Sequence, residues 1–217
     1  MSSFPNSPYV LKGGIVLIDP TTAQVKRIIV LQYNPDTLTR SLQVQAVTEG
    51  SDRSEAFRLK GPPVETFKVE AEIDATDQLE AAQQNRIVVD NGIHPQISAL
   101  ETIVYPPSSQ AQSNFALTQT GTLEIMPIEA PLTLFVWSPK RILPVRITEF
   151  SITEEAFDTK LNPIRAKVSL GMRALSYDDL GFATKGGSLF LAYQQQKERL
   201  ATMSQGIFGP LGIGGIP

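Results

Sequence analysis

Two stretches of this chain alternate apolar and polar side chains almost without error, and this period of two constrains the fold more than any other feature. Successive side chains of a β-strand point to opposite faces, so each stretch predicts a strand with one buried face. Strands covered on one face only are typical of antiparallel sheets. The apolar positions are Phe67, Val69, Ala71 and Ile73 in the first stretch, and Ile164, Ala166, Val168, Leu170, Met172 and Ala174 in the second.

Further strands are indicated earlier in the chain. Residues 9–18 and 25–33 are continuously apolar at their centres and are separated by a turn composition at residues 19–22. This pattern predicts a hairpin with both faces covered. Residues 38–46 alternate again, except that Arg40 interrupts the apolar side. The opposite side of that stretch is polar but uncharged, and it consists of Thr37, Thr39, Ser41, Gln43 and Gln45.

Residues 132–137 and 142–153 predict another pair of neighbouring strands. In the second strand the apolar positions change from odd to even numbers between Val145 and Ile152. One extra residue in the hydrogen-bond ladder explains such a change of parity. The sequence therefore predicts a β-bulge near residues 148–149.

One helical crossover is predicted between the strands, over about residues 77–104. Asp77, with Glu80 three residues later, resembles a capping arrangement at its start, and Pro106-Pro107 would end it. Residues 49–63 and 105–122 have loop compositions. Because long structureless loops inside a compact domain are usually functional, we expect these two to contact another chain.

The chain changes character at Gly186-Gly187, which divides it into a β domain at residues 1–180 and a C-terminal helix with an arm at 181–217. The arm, Gly206–Pro217, holds five Gly and two Pro and no charge. A solvated linker is not expected to carry many apolar side chains, so the arm is predicted to dock on another surface. Deleting it should leave a folded protein that assembles poorly. The helix has an apolar stripe of Leu189, Phe190, Tyr193, Leu200 and Met203, and the arm carries Ile207, Phe208, Leu211, Ile213 and Ile216.

The composition excludes several kinds of chemistry. The chain has no Cys and one His, which rules out disulfides, thiolate ligands and multi-histidine metal sites, and no cofactor is expected. That residue, His94, is interpreted as part of a loop or the start of a helix. A net charge of -3 gives no reason to expect nucleic acid or an anionic membrane as partner. The longest apolar run, 189–193, is far below the roughly 20 residues that span a bilayer, and residues 1–8 lack leader features, so we expect synthesis in the cytoplasm.

Three candidate sites have competing interpretations. Glu154, Glu155 and Asp158 could supply the paired carboxylates of a hydrolase, but the favoured interpretation is a solvated turn between two strands. Trp137, Phe135 and Tyr33 are either core residues or the stacking platform of a carbohydrate-binding module. The basic residues Arg165, Lys167 and Arg173 form either a solvated face or a contact with Glu70 and Glu72 on a neighbouring copy.

Four stretches, in order along the chain, resemble the contractile injection system tube family, which includes the tube-to-baseplate adaptors of phage-tail-like particles. Residues 31–38 contain the aromatic-Asn-Pro signature at Tyr33-Asn34-Pro35. Residues 61–76 resemble the next block, a strand that runs into a helix. Residues 132–152 resemble a Trp-containing strand and its successor, and residues 157–168 contain a turn, a proline and Arg-Ala-Lys-Val.

The resemblance implies a tail-tube-like fold of two packed β-sheets with a flanking helix, assembled as a hexameric ring that continues the inner tube toward the hub and spike. Adaptor members of the family often carry a C-terminal LysM module. In this chain only residues 175–217 follow the last matching strand, and they are interpreted as a helix and the apolar arm.

Together these observations favour a fold that is mainly β, a sandwich or barrel of antiparallel strands with a C-terminal helix and an extended arm. The functional hypothesis is a structural, non-enzymatic subunit of a contractile injection system. Its expected partners are copies of itself and the tube, hub, spike and other baseplate proteins, without nucleic acid or membrane insertion. The proposed contact residues are Arg165, Lys167, Arg173, Glu70, Glu72, Ile207, Phe208, Leu211 and Ile213. The alternative is a β-sandwich carbohydrate-binding module.

Overall fold

The computed structural model describes residues 10–46, 58–119, 130–204, 206 and 208–216. Its strands are β1 (Gly14–Ile18), β2 (Val25–Val30), β3 (Leu38–Gln43), β4 (Val64–Asp74), β5 (Leu132–Ser138), β6 (Arg141–Phe157) and β7 (Pro163–Ala174). Its helices are α1 (Thr76–Glu80), α2 (Arg86–Asn91), α3 (His94–Glu101), α4 (Ser108–Gln119), α5 (Tyr177–Leu180) and α6 (Lys185–Ala201), followed by a 3-10 turn at Gly209–Leu211.

The seven strands form one antiparallel sheet in the order β2-β1-β5-β6-β7-β4-β3. This arrangement confirms the predicted fold class of antiparallel strands with a C-terminal helix. The two strands with period-two sequences, β4 and β7, lie side by side near one end of the order. The edge strands in the described part of the chain are β2 and β3.

The sheet folds back on itself through the long strand β6. Its first part, Arg141–Val145, pairs with β5, and from Val145 onward it pairs with β7. Phe135 on β5 and Phe67 on β4 are separated by three strand steps, which would put them about 14 Å apart in a flat sheet. Their ring centroids are 5.6 Å apart. The two halves of the sheet therefore face each other across one core, as in a sandwich whose sheets share a strand.

The predicted β-bulge is confirmed. The register between β6 and β7 shifts between Ile147 and Glu149, which leaves Thr148 as the extra residue. Gly171 faces this position on β7, and a Cβ atom there would lie 2.8 Å from the Cβ atom of Glu149. The absent side chain at Gly171 makes room for the bulge.

Several predicted elements differ in the structure. The hairpin of β1 and β2 is present, but the prediction that both its faces are covered is wrong for β2, which is largely exposed. The crossover comprises three short helices, and Asp77 lies in the first turn of α1 rather than at its N-cap, which is Ala75. The predicted loop at 105–122 contains α4, a helix without buried residues. Most of the other predicted loop lies outside the described residues.

The C-terminal helix α6 begins at a Thr184 cap, whose hydroxyl accepts a hydrogen bond from the N–H of Gly187 at 3.0 Å. The predicted apolar stripe is buried at Phe190 and Tyr193 but exposed at Leu200 and Met203. Leu189 joins a second apolar cluster on the outer side of β1 and β5, where it packs with Leu180 against Ile18, Leu132 and Leu134. The buried apolar contacts of the helix thus lie in the part up to Tyr193.

Candidate functional site

The edge strand β2 presents an apolar surface to solvent. Val25, Ile28 and Val30 are 58%, 62% and 58% exposed. Leu31 donates its backbone N–H to Gly13, so the backbone groups of Ile28 and Val30 point away from β1. In the described part of the chain no strand pairs with that side of β2. An apolar strand with an unpaired backbone is a template for another chain.

A pocket of about 270 Å³ lies between β2, the end of β4 and helix α3. Its walls are mainly apolar and include Val30, Ile73, Ala99 and Leu100. Gln32, directly after β2, holds the two halves of the sheet together above it. The Gln32 amide donates to the backbone oxygen of Asp74 at 2.6 Å and accepts the N–H of Asp74 at 3.0 Å. The pocket and the open edge of β2 form one continuous surface.

Glu65 is the most buried charged side chain among the described residues, with 2% of its surface exposed. It lies on the core face at the start of β4. The hydroxyl of Tyr193 donates to its Oε1 at 2.8 Å, and Nζ of Lys197 lies 2.8 Å from its Oε2. Nη1 of Arg40 on β3 is 3.6 Å away. This Glu65 cluster joins α6 to the edge of the sheet formed by β3 and β4.

The pKa of Tyr193 is raised above its ordinary value, first by burial and then by its hydrogen bond to Glu65. A raised folded-state pKa stabilises the fold below the unfolded tyrosine pKa of about 10, and this contribution is lost as the pH rises above that value. We therefore expect the native chain and the Tyr193→Phe variant to give the same tyrosinate absorbance near pH 11, about one unit above the pKa of an unfolded tyrosine. In denaturant the two should differ by one tyrosine. A difference of one tyrosine in the native state would show that Tyr193 is solvated.

The basic residues singled out in the sequence have partners inside the subunit. Arg165 contacts Asp74 at 2.8 Å and Glu72 at 3.9 Å. Lys167 contacts Glu155 at 3.0 Å, and Arg173 contacts Asp179 at 2.9 Å. With Glu70, they lie on the polar outer face of the half-sheet formed by β6, β7, β4 and β3. Their contact with a neighbouring copy stays a prediction.

Asp74 connects β4, β7 and α1. Its carboxylate accepts hydrogen bonds from the hydroxyl and backbone N–H of Thr76 and from Arg165. The Thr76 bonds, followed by Arg165, hold the pKa of Asp74 below its usual range. The same pairing raises the pKa of Arg165. Arg165, within the Arg-Ala-Lys-Val stretch, thus fixes the start of β7 to the end of β4.

Asn34 has a comparable structural role in the aromatic-Asn-Pro stretch. Its amide accepts the N–H of Gly13 at 3.0 Å and donates to the backbone oxygen of Leu11 at 2.7 Å. These bonds hold the segment that leads into β1. His94 is the first residue of α3, in agreement with its interpretation as the start of a helix.

The arm has few contacts with its own subunit in the described residues. A Cβ atom added at Gly206, Gly212, Gly214 or Gly215 would meet no atom within 4 Å. Phe208, Leu211 and Ile213 are exposed, Leu211 at 71%. Ile207 lies outside the described residues. Whether these residues contact another subunit stays a prediction.

Residues considered for carbohydrate binding and for hydrolysis have structural contacts within the subunit. Phe135 is 1% exposed and Trp137 packs against it at 5.9 Å, so these rings do not form an open stacking platform with Tyr33. Asp158 closes the turn between β6 and β7, where its carboxylate accepts hydrogen bonds from Lys160 and Asn162. The Asn162 side chain contributes most to lowering the pKa of Asp158.

Within the described ranges, no group of three or more His, Cys, Asp or Glu side chains is arranged to hold a metal ion. None of the helices described has the length and apolar character needed to cross a membrane.

The sequence matches no family model, and no curated protein is significantly similar to it. Among solved structures, a chain from the tail of an empty GTA particle, determined with C6 symmetry, is similar to this one. The match covers 75% of this chain and 90% of that chain, at 16% identity and a TM-score of 0.28. A likeness at this TM-score assigns neither a fold nor a function to this chain.

Proposed function

We propose that the protein is a structural subunit of a contractile injection system, a phage-tail-like particle. Its copies form a hexameric ring that joins or extends the inner tube at the baseplate. The role is structural rather than enzymatic. The chain is made in the cytoplasm and then enters the assembled particle, where it contacts the tube, the hub and spike and other baseplate proteins.

The observation that carries this proposal is the exposed apolar edge at β2. Soluble monomers protect sheet edges with charges, prolines or covering loops, because an open edge pairs with other chains. On β2 the apolar residues Ile28 and Val30 have outward-pointing backbone groups with which no described strand pairs, and the charges of this strand, Lys26 and Arg27, precede them. Among the described strands β3 is the second edge, at the other end of the sheet, where Leu42 is exposed. Two different edges permit the head-to-tail contacts from which rings are built.

The sequence resemblance to the tube family supports the same proposal. Its motif residues Asn34 and Arg165 hold strands in place rather than forming a reactive site. The polar outer side of β3, with Thr39, Ser41 and Gln43, supports a role as a lumen lining that does not bind cargo tightly. The proposal includes neither nucleic acid binding nor insertion into a membrane.

Charging the β2 edge should prevent ring formation without unfolding the subunit. We expect the variant Ile28→Lys with Val30→Lys to keep the circular dichroism spectrum of the native chain and to lose rings about tenfold or more, since like charges and unpaired ammonium groups would have to be buried. The measurement is light scattering and electron microscopy of the full chain mixed with its tube and baseplate partners. The matched control, Ala192→Lys with Gln195→Lys, adds the same charge on the exposed side of α6.

Two results would count against the proposal. If the native chain stays monomeric in the presence of its partners, it is not a ring subunit. If the β2 variant forms rings as well as the α6 control does, the contact lies elsewhere on the subunit.

A further inference from the structure

The pocket beside β2 is large enough to accept an aromatic side chain. Pockets for drug-sized ligands generally measure about 300–1,000 Å³, and a closed apolar cavity of about 150 Å³ accommodates one benzene ring. The pocket here measures about 270 Å³. It therefore has room for one phenyl ring together with a stretch of main chain.

One polar atom in the pocket wall lacks a partner. Oε1 of Gln96, on α3, is buried, and among the described residues no group donates a hydrogen bond to it. That oxygen has less than 1 Å² of exposed surface, so an occupant that brings an N–H group could pair with it only after the Gln96 side chain rotates. The neighbouring edge of β2 offers backbone acceptors and donors at Ile28 and Val30. An extended peptide with apolar side chains matches both features.

The C-terminal arm has this chemistry. It carries no charge, its main chain supplies N–H groups, and Phe208 is its only aromatic residue. A Cβ atom added at Gly206, Gly212, Gly214 or Gly215 would stand in open space, and Phe208 and Ile213 are about half exposed, at 46% and 47%.

The arm of the same chain is badly placed to reach the pocket. Lys197 of α6 is bound to Glu65 at the start of β4, whereas the pocket lies at Ile73, about 27 Å further along that strand. Thr202, Met203 and Ser204 continue the helical turns of α6 with backbone bonds to residues 198–201, so the chain rises only about 10 Å from Lys197 to Ser204. The stretch from Ser204 to Phe208 adds at most about 14 Å, which leaves Phe208 short of the pocket.

The geometry points to an exchange of arms: the arm of one copy binds along β2 of a neighbouring copy and inserts Phe208 into the pocket there. This inference rests on the proposed assembly of copies and names the contact that joins them. The main chain of the arm pairs with the open edge of β2.

The first test uses a fluorescent peptide with the sequence of residues 206–217 and full-length protein carrying Phe208→Ser, whose own arm cannot compete. We expect saturable binding by anisotropy, weakened about 10- to 100-fold when the peptide also carries Phe208→Ser, as expected for losing a buried phenyl ring. Adding Ala99→Trp to the protein fills the pocket and should abolish binding. The matched control is Ser98→Trp, which places the same side chain on an exposed neighbouring position of α3.

The second test separates exchange between copies from binding within one copy. Subunits with Phe208→Ser lack the inserting ring, and subunits with Ala99→Trp lack the pocket. Neither should associate alone, whereas a mixture should form pairs in light scattering because one variant donates its arm and the other its pocket. The native chain at the same concentration should associate as well. If the mixture forms pairs while the native chain stays monomeric, the arm occupies its own pocket and the exchange is wrong. A mixture that stays monomeric would also contradict the exchange.

Failure of this inference is distinguishable from failure of the proposed function. Peptide binding that Ala99→Trp and Ser98→Trp affect equally would overturn the pocket as the site. If rings then still form with the partner proteins, the proposed function stands without the arm exchange. Conversely, pocket-dependent binding without any ring would leave the exchange intact and contradict the ring.

Discussion

Replacing Arg40 and Lys197 together by methionine is expected to lower the free energy of unfolding by about 3–5 kcal/mol, the usual cost of leaving a buried charge unpaired. The two cations are the ones that face the Glu65 carboxylate, at 3.6 and 2.8 Å. With both removed, Tyr193 alone remains as its hydrogen-bond partner. The buried carboxylate is then left without a counter-charge, which destabilises the packing of the C-terminal helix on the sheet.

A third substitution in the same chain shows whether the unpaired charge is the cause. Adding Glu65→Gln keeps the shape of the side chain and an acceptor for Tyr193, and should restore more than half of the lost stability. The matched control is Lys167→Met, which breaks the exposed pair with Glu155 and should cost about 0–1 kcal/mol. Urea unfolding midpoints at unchanged slope give the differences. A double variant as stable as the control would mean that the Glu65 cluster does not hold α6.

The Glu65 cluster also shows how far the sequence could be interpreted. Arg40 stood out as the charged exception on the apolar side of its strand, and Glu65 occupies the same parity as Phe67 on β4. In the sheet, Leu42 pairs with Glu65 and Arg40 with Phe67, so the two charged residues are diagonal neighbours on one face. A charged residue on the apolar side of each of two strands indicates that the two residues could pair. Only the structure shows the register that brings Arg40 next to Glu65. The contact between Glu65 and Lys197 joins residues far apart in the chain, and no sequence pattern near either residue indicates it.

Strand β2 is less buried in the subunit than its sequence predicts. Its continuous apolar run predicted a strand covered on both faces, yet the subunit covers only the side of Ile29, which packs against the core. An apolar pattern in a sequence marks surfaces that are covered in the assembled state, whether by the same chain or by another chain. A strand that is apolar on both sides but half covered in the subunit is therefore consistent with the proposed contact between copies. Helix α4 was not predicted, because its polar, uncharged sequence has no apolar periodicity. In the structure it buries no residue.

Replacing Gly92 by alanine is expected to destabilise the protein in two ways: by backbone strain at residue 92 and by a clash of the added Cβ atom. Gly92 ends α2 with φ 57° and ψ -138°, a conformation that residues with a side chain avoid and that costs about 1–3 kcal/mol. In addition, its Cβ would lie 2.3 Å from the carbonyl oxygen of Pro163, the same oxygen that accepts the N–H of Ile93 at 2.9 Å. Relieving that clash means moving the crossover helices from the start of β7, which adds about 1–3 kcal/mol.

Gly181 provides the matched control, because it has φ 80° and ψ 141° while its added Cβ would meet only Thr184, at 3.9 Å. Gly181→Ala therefore measures backbone strain with little steric clash, and the difference between the two variants isolates the contact with Pro163. We expect Gly92→Ala to have the lower urea midpoint. It should also speed amide hydrogen exchange at Ile93, since the bond from Ile93 to Pro163 lies at the point of the clash. Equal losses in both variants would mean that the crossover helices adjust freely against β7, and that the hydrogen bond at Pro163 does not fix their position.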